Sequence, residues 1–166
     1  MPKLAFIVVA AAALLSSCGG GSSDQAANQA ALDAALAHQG FVDQADRICT
    51  QGRKQLILTG NRYFGNLPPG RQPSDAAVTA YARQQAIPIL RGQYARLRGL
   101  HPPPSDRREI DRILALANQG IAQLAADPTL LKRGNGIPPA LGQARIRAFH
   151  FGLGACGQQV ETPASG

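Results

Sequence analysis

The sequence predicts an all-α protein, an antiparallel up-down bundle of about four helices behind a flexible N-terminal tether. Three observations predict it. Aromatic residues make up only 5% of the 166 residues, tryptophan is absent, and alanine and leucine abound. That composition suits closely packed helices better than sheets built on β-branched and aromatic faces. Apolar residues recur at helical spacing over four separate stretches, and Gly- and Pro-rich breaks divide those stretches.

The N-terminus comes first. Lys3 is positive, Leu4 to Leu15 is an unbroken run of twelve apolar residues, and Ser16 and Ser17 are small. This is the pattern of a cleavable secretory signal over residues 1–17. A spanning helix needs about 20 apolar residues to cross about 30 Å of hydrocarbon, so the run is too short to stay as a span. Leu15-Ser16-Ser17-Cys18 resembles the lipobox of bacterial lipoproteins, in which the cysteine thiol becomes a diacylglycerol thioether and the new N-terminal residue. The resemblance implies lipidation at Cys18 and a place on the cell membrane, facing outside the cytoplasm. Two or more acyl chains anchor stably, because each buried methylene contributes about 0.8 kcal/mol. The remaining length suits one domain with its own core.

Residues 18–40 read as the lipidated cysteine and a flexible tether, with Gly19 to Ser23 as its loosest part. Asp24 to His38 is rich in Ala and Gln and has only two large apolar residues, Leu32 and Leu36. Those two fit either one docked helical turn or a frayed extension, which Gly40 should end in both cases. The domain is expected over 41–157, with 158–166 as a disordered tail.

Phe41, Ala45, Ile48, Cys49 and Leu56 share a helical face, predicting a first helix from Phe41 to Leu58. Thr59 to Ser74 reads as a long loop pinned by Tyr63, Phe64 and Leu67. Ser74 or Asp75 caps a second helix to Arg98, with Val78, Tyr81, Ile87, Leu90, Tyr94 and Leu97 inward. Pro88 lies inside it and should kink or divide it. The third helix opens at Ser105 or Asp106, where Asp106 and Glu109 have the spacing of a capping box. Ile110, Ile113, Leu114, Ala117, Ile121 and Leu124 form its inward stripe. Asp127-Pro128 ends it, Thr129 to Arg133 adds a short turn, and Gly134 to Pro139 is a loop. The last helix starts near Pro139 and is expected to turn Leu141, Ile146, Phe149 and Leu153 inward before Gly154 and Gly157 break it.

The net charge of +7 is carried almost wholly by arginine. Beside an anionic membrane each cation near the headgroups contributes about 1 kcal/mol. An Arg-, Ala-, Gly- and Pro-rich composition of the kind a GC-rich genome imposes also accounts for it. Nucleic acid is not expected as a partner of an exported, lipid-anchored chain. Acylation of Cys18 leaves two of the three cysteines, and outside the cytoplasm such a pair reads as a disulfide, Cys49 with Cys156.

Chemistry is harder to find. Gly152 to Gly157 matches GxGxxG, but it follows a helix, and the dinucleotide mechanism requires a strand before the pattern. His38, His101 and His150 are scattered, without zinc-ligand spacing, and no CxxCH is present for haem, so no metal and no cofactor are expected. Asp43, Asp46, Asp106, Glu109 and Asp111 sit at helix starts or beside arginines, as solvated caps and pairs do, and no acid–base couple is apparent. The chain therefore reads as no enzyme. The candidate anion-binding site is a group of six arginines, Arg91, Arg96 and Arg98 at the end of the second helix and Arg107, Arg108 and Arg112 at the start of the third. Guanidinium groups suit phosphate or carboxylate, which makes anionic headgroups or wall polymers candidate ligands. A solvated basic end is the alternative.

Four marks together resemble small uncharacterised lipoproteins of high-GC actinobacteria: the lipobox, Ala45-Asp46-Arg47-Ile48-Cys49, Leu97-Arg98-Gly99-Leu100-His101-Pro102-Pro103, and the closing Gly-Leu-Gly-Ala-Cys-Gly. The resemblance implies a secreted helical domain with one bridge and transfers no functional residues. The expected role is a non-enzymatic envelope module that binds a partner protein or an anionic polymer. The rival role is a carrier of a small apolar ligand between the helices.

Overall fold

The structure, a computed structural model, describes residues 21–68, 70–133 and 136–158. The signal segment 1–17, the lipidation residue Cys18, Gly134 and the tail from residue 159 lie outside the described residues. The chain divides into two units, residues 1–33 and 34–166. In the first, residues 21–33 are helical and the side chains of 24–33 are exposed. The second is an all-α bundle.

Helix α1 runs Gly21–Phe64, longer than expected at both ends. Gly40 does not stop it, and the part of the expected tether that is described is helical. The physical reason is local. A single glycine costs a helix about 1 kcal/mol relative to alanine, and the neighbouring Ala, Gln and Leu are good helix formers. Phe41 and Val42, both buried, anchor the turn that follows. Leu32 and Leu36 are 59% and 70% exposed. A Cβ at Gly40 meets nothing within 4 Å. Gly40→Ala is therefore expected to raise stability by about 0.5–1 kcal/mol, read as a higher urea midpoint.

The C-terminal end of α1 absorbs the first residues of the expected loop because its aromatics have a partner. The rings of Tyr63 and Phe64 lie 5.4 and 5.1 Å from that of Tyr81, whose hydroxyl donates to the Leu56 carbonyl at 3.1 Å. Ser74 caps α2 (Asp75–Tyr81) by accepting the Ala77 N–H at 3.2 Å. Helix α3 (Ile87–Arg98) follows, and between the two lies a π-helical turn, Ala82–Ala86. Pro88 explains it: its ring crowds the carbonyl four residues back, and one wider turn relieves that contact without ending the helix. The Ile87 N–H accordingly bonds the Ala82 carbonyl, five residues back. All six residues expected inward from this stretch are buried, as is the whole stripe of α4 (Arg107–Ala126).

A 3₁₀ turn, Pro128–Lys132, leads through a loop to α5 (Pro139–Phe151), which Gly152 closes in the left-handed conformation at φ 101°. A four-residue turn, α6 (Gly154–Gly157), completes the described chain. Helix α5 presents a different face from the one expected. Leu141 and Leu153 are buried, but Ile146 and Phe149 are 60% and 61% exposed, and Ala140, Ala144 and Ala148 are buried in their place. The cause is a close seam. A Cβ on Gly120 of α4 would lie 2.5 Å from the Leu141 nitrogen, so the two helices approach almost to backbone contact. Only small side chains fit beside such a contact.

Helix α4 packs against both α3 and α5. Among the described residues no helix is long and apolar enough to cross a membrane.

Candidate functional site

The bridge is the fixed point from which the site is built. Cys49 on α1 and Cys156 on α6 form the disulfide, with Cα atoms 5.0 Å apart and a sequence separation of 107. One turn before Cys49, the Asp46 carboxylate accepts the Ala155 N–H at 2.9 Å and so supports the start of α6. This carboxylate is not a solvated neighbour of Arg47; it ties two distant elements. Gln93 of α3 donates to the Cys49 sulfur at 3.4 Å.

The end of the bundle near residue 106 is organised by a second long-range pair. His38 Nδ1 donates to the Asp106 carboxylate at 2.8 Å, and the His38 ring stands edge-on to Phe151 at 5.2 Å. Asp106 occupies the N-cap position of α4 without a side-chain capping bond, because its carboxylate is engaged by His38 and by the Ser105 hydroxyl. The expected capping box is not formed. Glu109 also turns outward, to Arg112 at 3.5 Å and to Arg147 of α5 at 2.5 Å.

The bond from Arg147 holds the Glu109 carboxyl below the usual carboxylate range. A depressed folded-state pKa adds stability above the ordinary glutamate pKa that is lost as the pH falls through the folded value. Solvent screening keeps the effect under about 1 kcal/mol. Glu109→Gln should therefore flatten the acid limb of stability, measured as denaturation midpoints at neutral and acid pH, and leave the alkaline limb alone.

Three of the six arginines share one surface depression. Arg107, Arg108 and Arg112 line a shallow open depression on the first turns of α4, together with Pro104, Asp111 and Ala115. Arg91, Arg96 and Arg98 contribute nothing to its walls. Arg96 instead donates to Gln51 of α1 at 2.8 Å. Arg91 and Arg98, seven residues apart on α3, share another exposed stripe. Within the depression Asp111 offsets part of the charge, and Glu109 engages Arg112 from beside it.

A pair of cations that sequence reasoning passed over meets at Gln158, two residues after the bridged Cys156. Arg53, one turn after Cys49, donates to the Gln158 side-chain oxygen, and Arg145 of α5 donates to the Gln158 main-chain carbonyl. Burial holds the Tyr94 phenol up at about 12, against the opposing effect of the nearby Arg145 charge. Burial also lowers Arg145; Tyr94 counters that and the Arg53 charge adds to it. Among the described residues no carboxylate forms an ion pair with Arg53 or Arg145. Their convergence had no signal in the sequence, since it depends on where the bridge sets the end of the chain.

Other chemistry is sparse. Among the described residues no group of three or more His, Cys, Asp or Glu side chains is placed to hold a metal ion. The GxGxxG residues form the left-handed cap of α5 and the turn of α6, with no strand ahead of them. The α4 depression lies on the surface, outside the core, and buried alanines at positions 45, 82, 86, 117, 144 and 148 bring the helices close together. Comparison with protein-family models, curated proteins and solved structures found no match.

Proposed function

We propose that this chain is a lipid-anchored envelope protein, tethered through Cys18 to the outer face of the cell membrane, whose helical bundle is a non-enzymatic interaction module. The observation that carries the reading is the use of the three cysteines: one stands at a lipobox-like signal end, and the other two form the bridge. Such a bridge persists in an oxidising compartment, which is where that signal would deliver the chain. The exposed cations of α4, Arg107, Arg108 and Arg112, supply a surface for an anionic polymer or an acidic patch on an envelope protein.

Fractionation of cells grown with labelled palmitate tests the anchor. The wild type is expected in the membrane fraction and labelled, and Cys18→Ser is expected to lose both label and membrane retention. An unlabelled wild-type protein in the cytosol would overturn the reading. Binding of the unacylated domain to anionic vesicles should fade as ionic strength rises, because exposed charges are screened beyond about 10 Å at 0.1 M salt.

A further inference from the structure

We propose that Arg53 and Arg145 form an oxyanion clamp beside the Cys49–Cys156 bridge, built to take a ligand's phosphate group, with the two carbonyl oxygens of Gln158 holding that group's place. Two guanidinium groups from different helices meet at a single residue, and neither is paired with a carboxylate among the described residues. The carbonyls satisfy hydrogen bonds but supply no countercharge, so among the described residues nothing offsets the two positive charges. An anion in the same position supplies both, and its charge-assisted bonds are roughly twice as strong as bonds to neutral acceptors. The donors belong to two helices, α1 and α5, and a phosphate offers them more acceptor oxygens, on a tetrahedral centre, than the two coplanar oxygens of a carboxylate.

The clamp is held ready rather than assembled by its ligand. Arg53 is one turn from the bridged Cys49, and Arg145 is set on α5 by its buried neighbour Ala144 and by Ala148. The buried Tyr94 of α3 lies near Arg145, and its neighbour Gln93 bonds the Cys49 sulfur. Gln158 is exposed and follows α6, with its N–H on the Gly154 carbonyl, so its side chain can leave without uncovering the core. The inference does not depend on the lipid anchor.

The test is a titration of the full chain, purified in a phosphate-free detergent, with inorganic phosphate, followed by NMR of the arginine Nε–H groups. Phosphate is expected to shift the Arg53 and Arg145 signals. Arg53→Gln and Arg145→Gln should each weaken binding about tenfold or more, while Gln158→Ala, which removes the side-chain oxygen competing at Arg53 and leaves the main-chain one at Arg145, should tighten it about threefold to tenfold. The exposed control Arg71→Gln should leave affinity unchanged. A parallel titration with phosphatidylglycerol vesicles identifies the source: a response to both probes assigns lipid headgroups, and a response to inorganic phosphate alone assigns a free phosphate compound. The proposal is overturned if neither probe shifts these signals, if Arg71→Gln weakens binding as much as the clamp variants, or if Gln158→Ala weakens it. Gln158 is exposed, so Gln158→Ala keeps the test valid should Arg145→Gln unfold.

Discussion

Replacing Cys49 and Cys156 together with alanine is expected to lower the stability of the folded domain by about 4–5 kcal/mol, the chain-entropy value for a loop of this size. The bridge closes a sequence separation of 107 and joins α1 to α6. Without it the unfolded chain regains the freedom that the loop removes. The Asp46 bond to Ala155 and the Arg bonds to Gln158 must then hold the chain end alone. Against a typical total of about 5–15 kcal/mol, such a loss leaves little margin. Urea denaturation of the double variant, and of the wild type with reductant, should show the same large fall in midpoint. A fall of less than about 1 kcal/mol would mean that the bridge is not a principal support.

The second large effect is expected at the seam between α4 and α5. Gly120→Ala places a Cβ 2.5 Å from both the Leu141 nitrogen and its Cβ, and 2.8 Å from its Cα. Two of those three atoms are backbone, so α5 itself must move. Overpacking of this kind costs about 1–3 kcal/mol, and the upper part of that range is expected here. Trimming the neighbour distinguishes this cause from a side-chain clash. Leu141→Ala added to Gly120→Ala should not restore stability, because the obstructing nitrogen and Cα remain. Restoration by that second change would contradict the close-seam account.

Much of the fold was legible because large apolar residues at helical spacing mark a buried face. The stripe of α4 and the inward residues around α3 were all found this way, and Pro88 announced a disturbance that the helix takes up as a π turn. The same reasoning failed on α5. It gives weight to Ile146 and Phe149, whereas a seam this close selects Ala144 and Ala148, whose small size carries little hydrophobic signal. It also began the first helix only at Phe41, after Gly40, where one weak residue is outvoted by its neighbours and by the anchorage of Phe41.

The candidate sites were less legible, for a different reason. Periodicity reports which face of a helix is buried, but not which helices meet at a given residue. The expected six-arginine group came from adjacency in sequence, yet Arg96 turns to α1 and only the α4 arginines line the depression. Arg53 with Arg145, His38 with Asp106, and Asp46 with Ala155 are partners only after folding. The cysteine pairing was readable because so few partners were available.

Export and the division of labour among the cysteines are tested together by intact-mass spectrometry of the protein isolated from its own membranes. The predicted mature chain begins at Cys18, carries the mass of its acyl groups, and gains no mass from a thiol-alkylating reagent until it is reduced. A chain that still begins at Met1, or that is alkylated at Cys49 and Cys156 without reduction, would contradict that prediction.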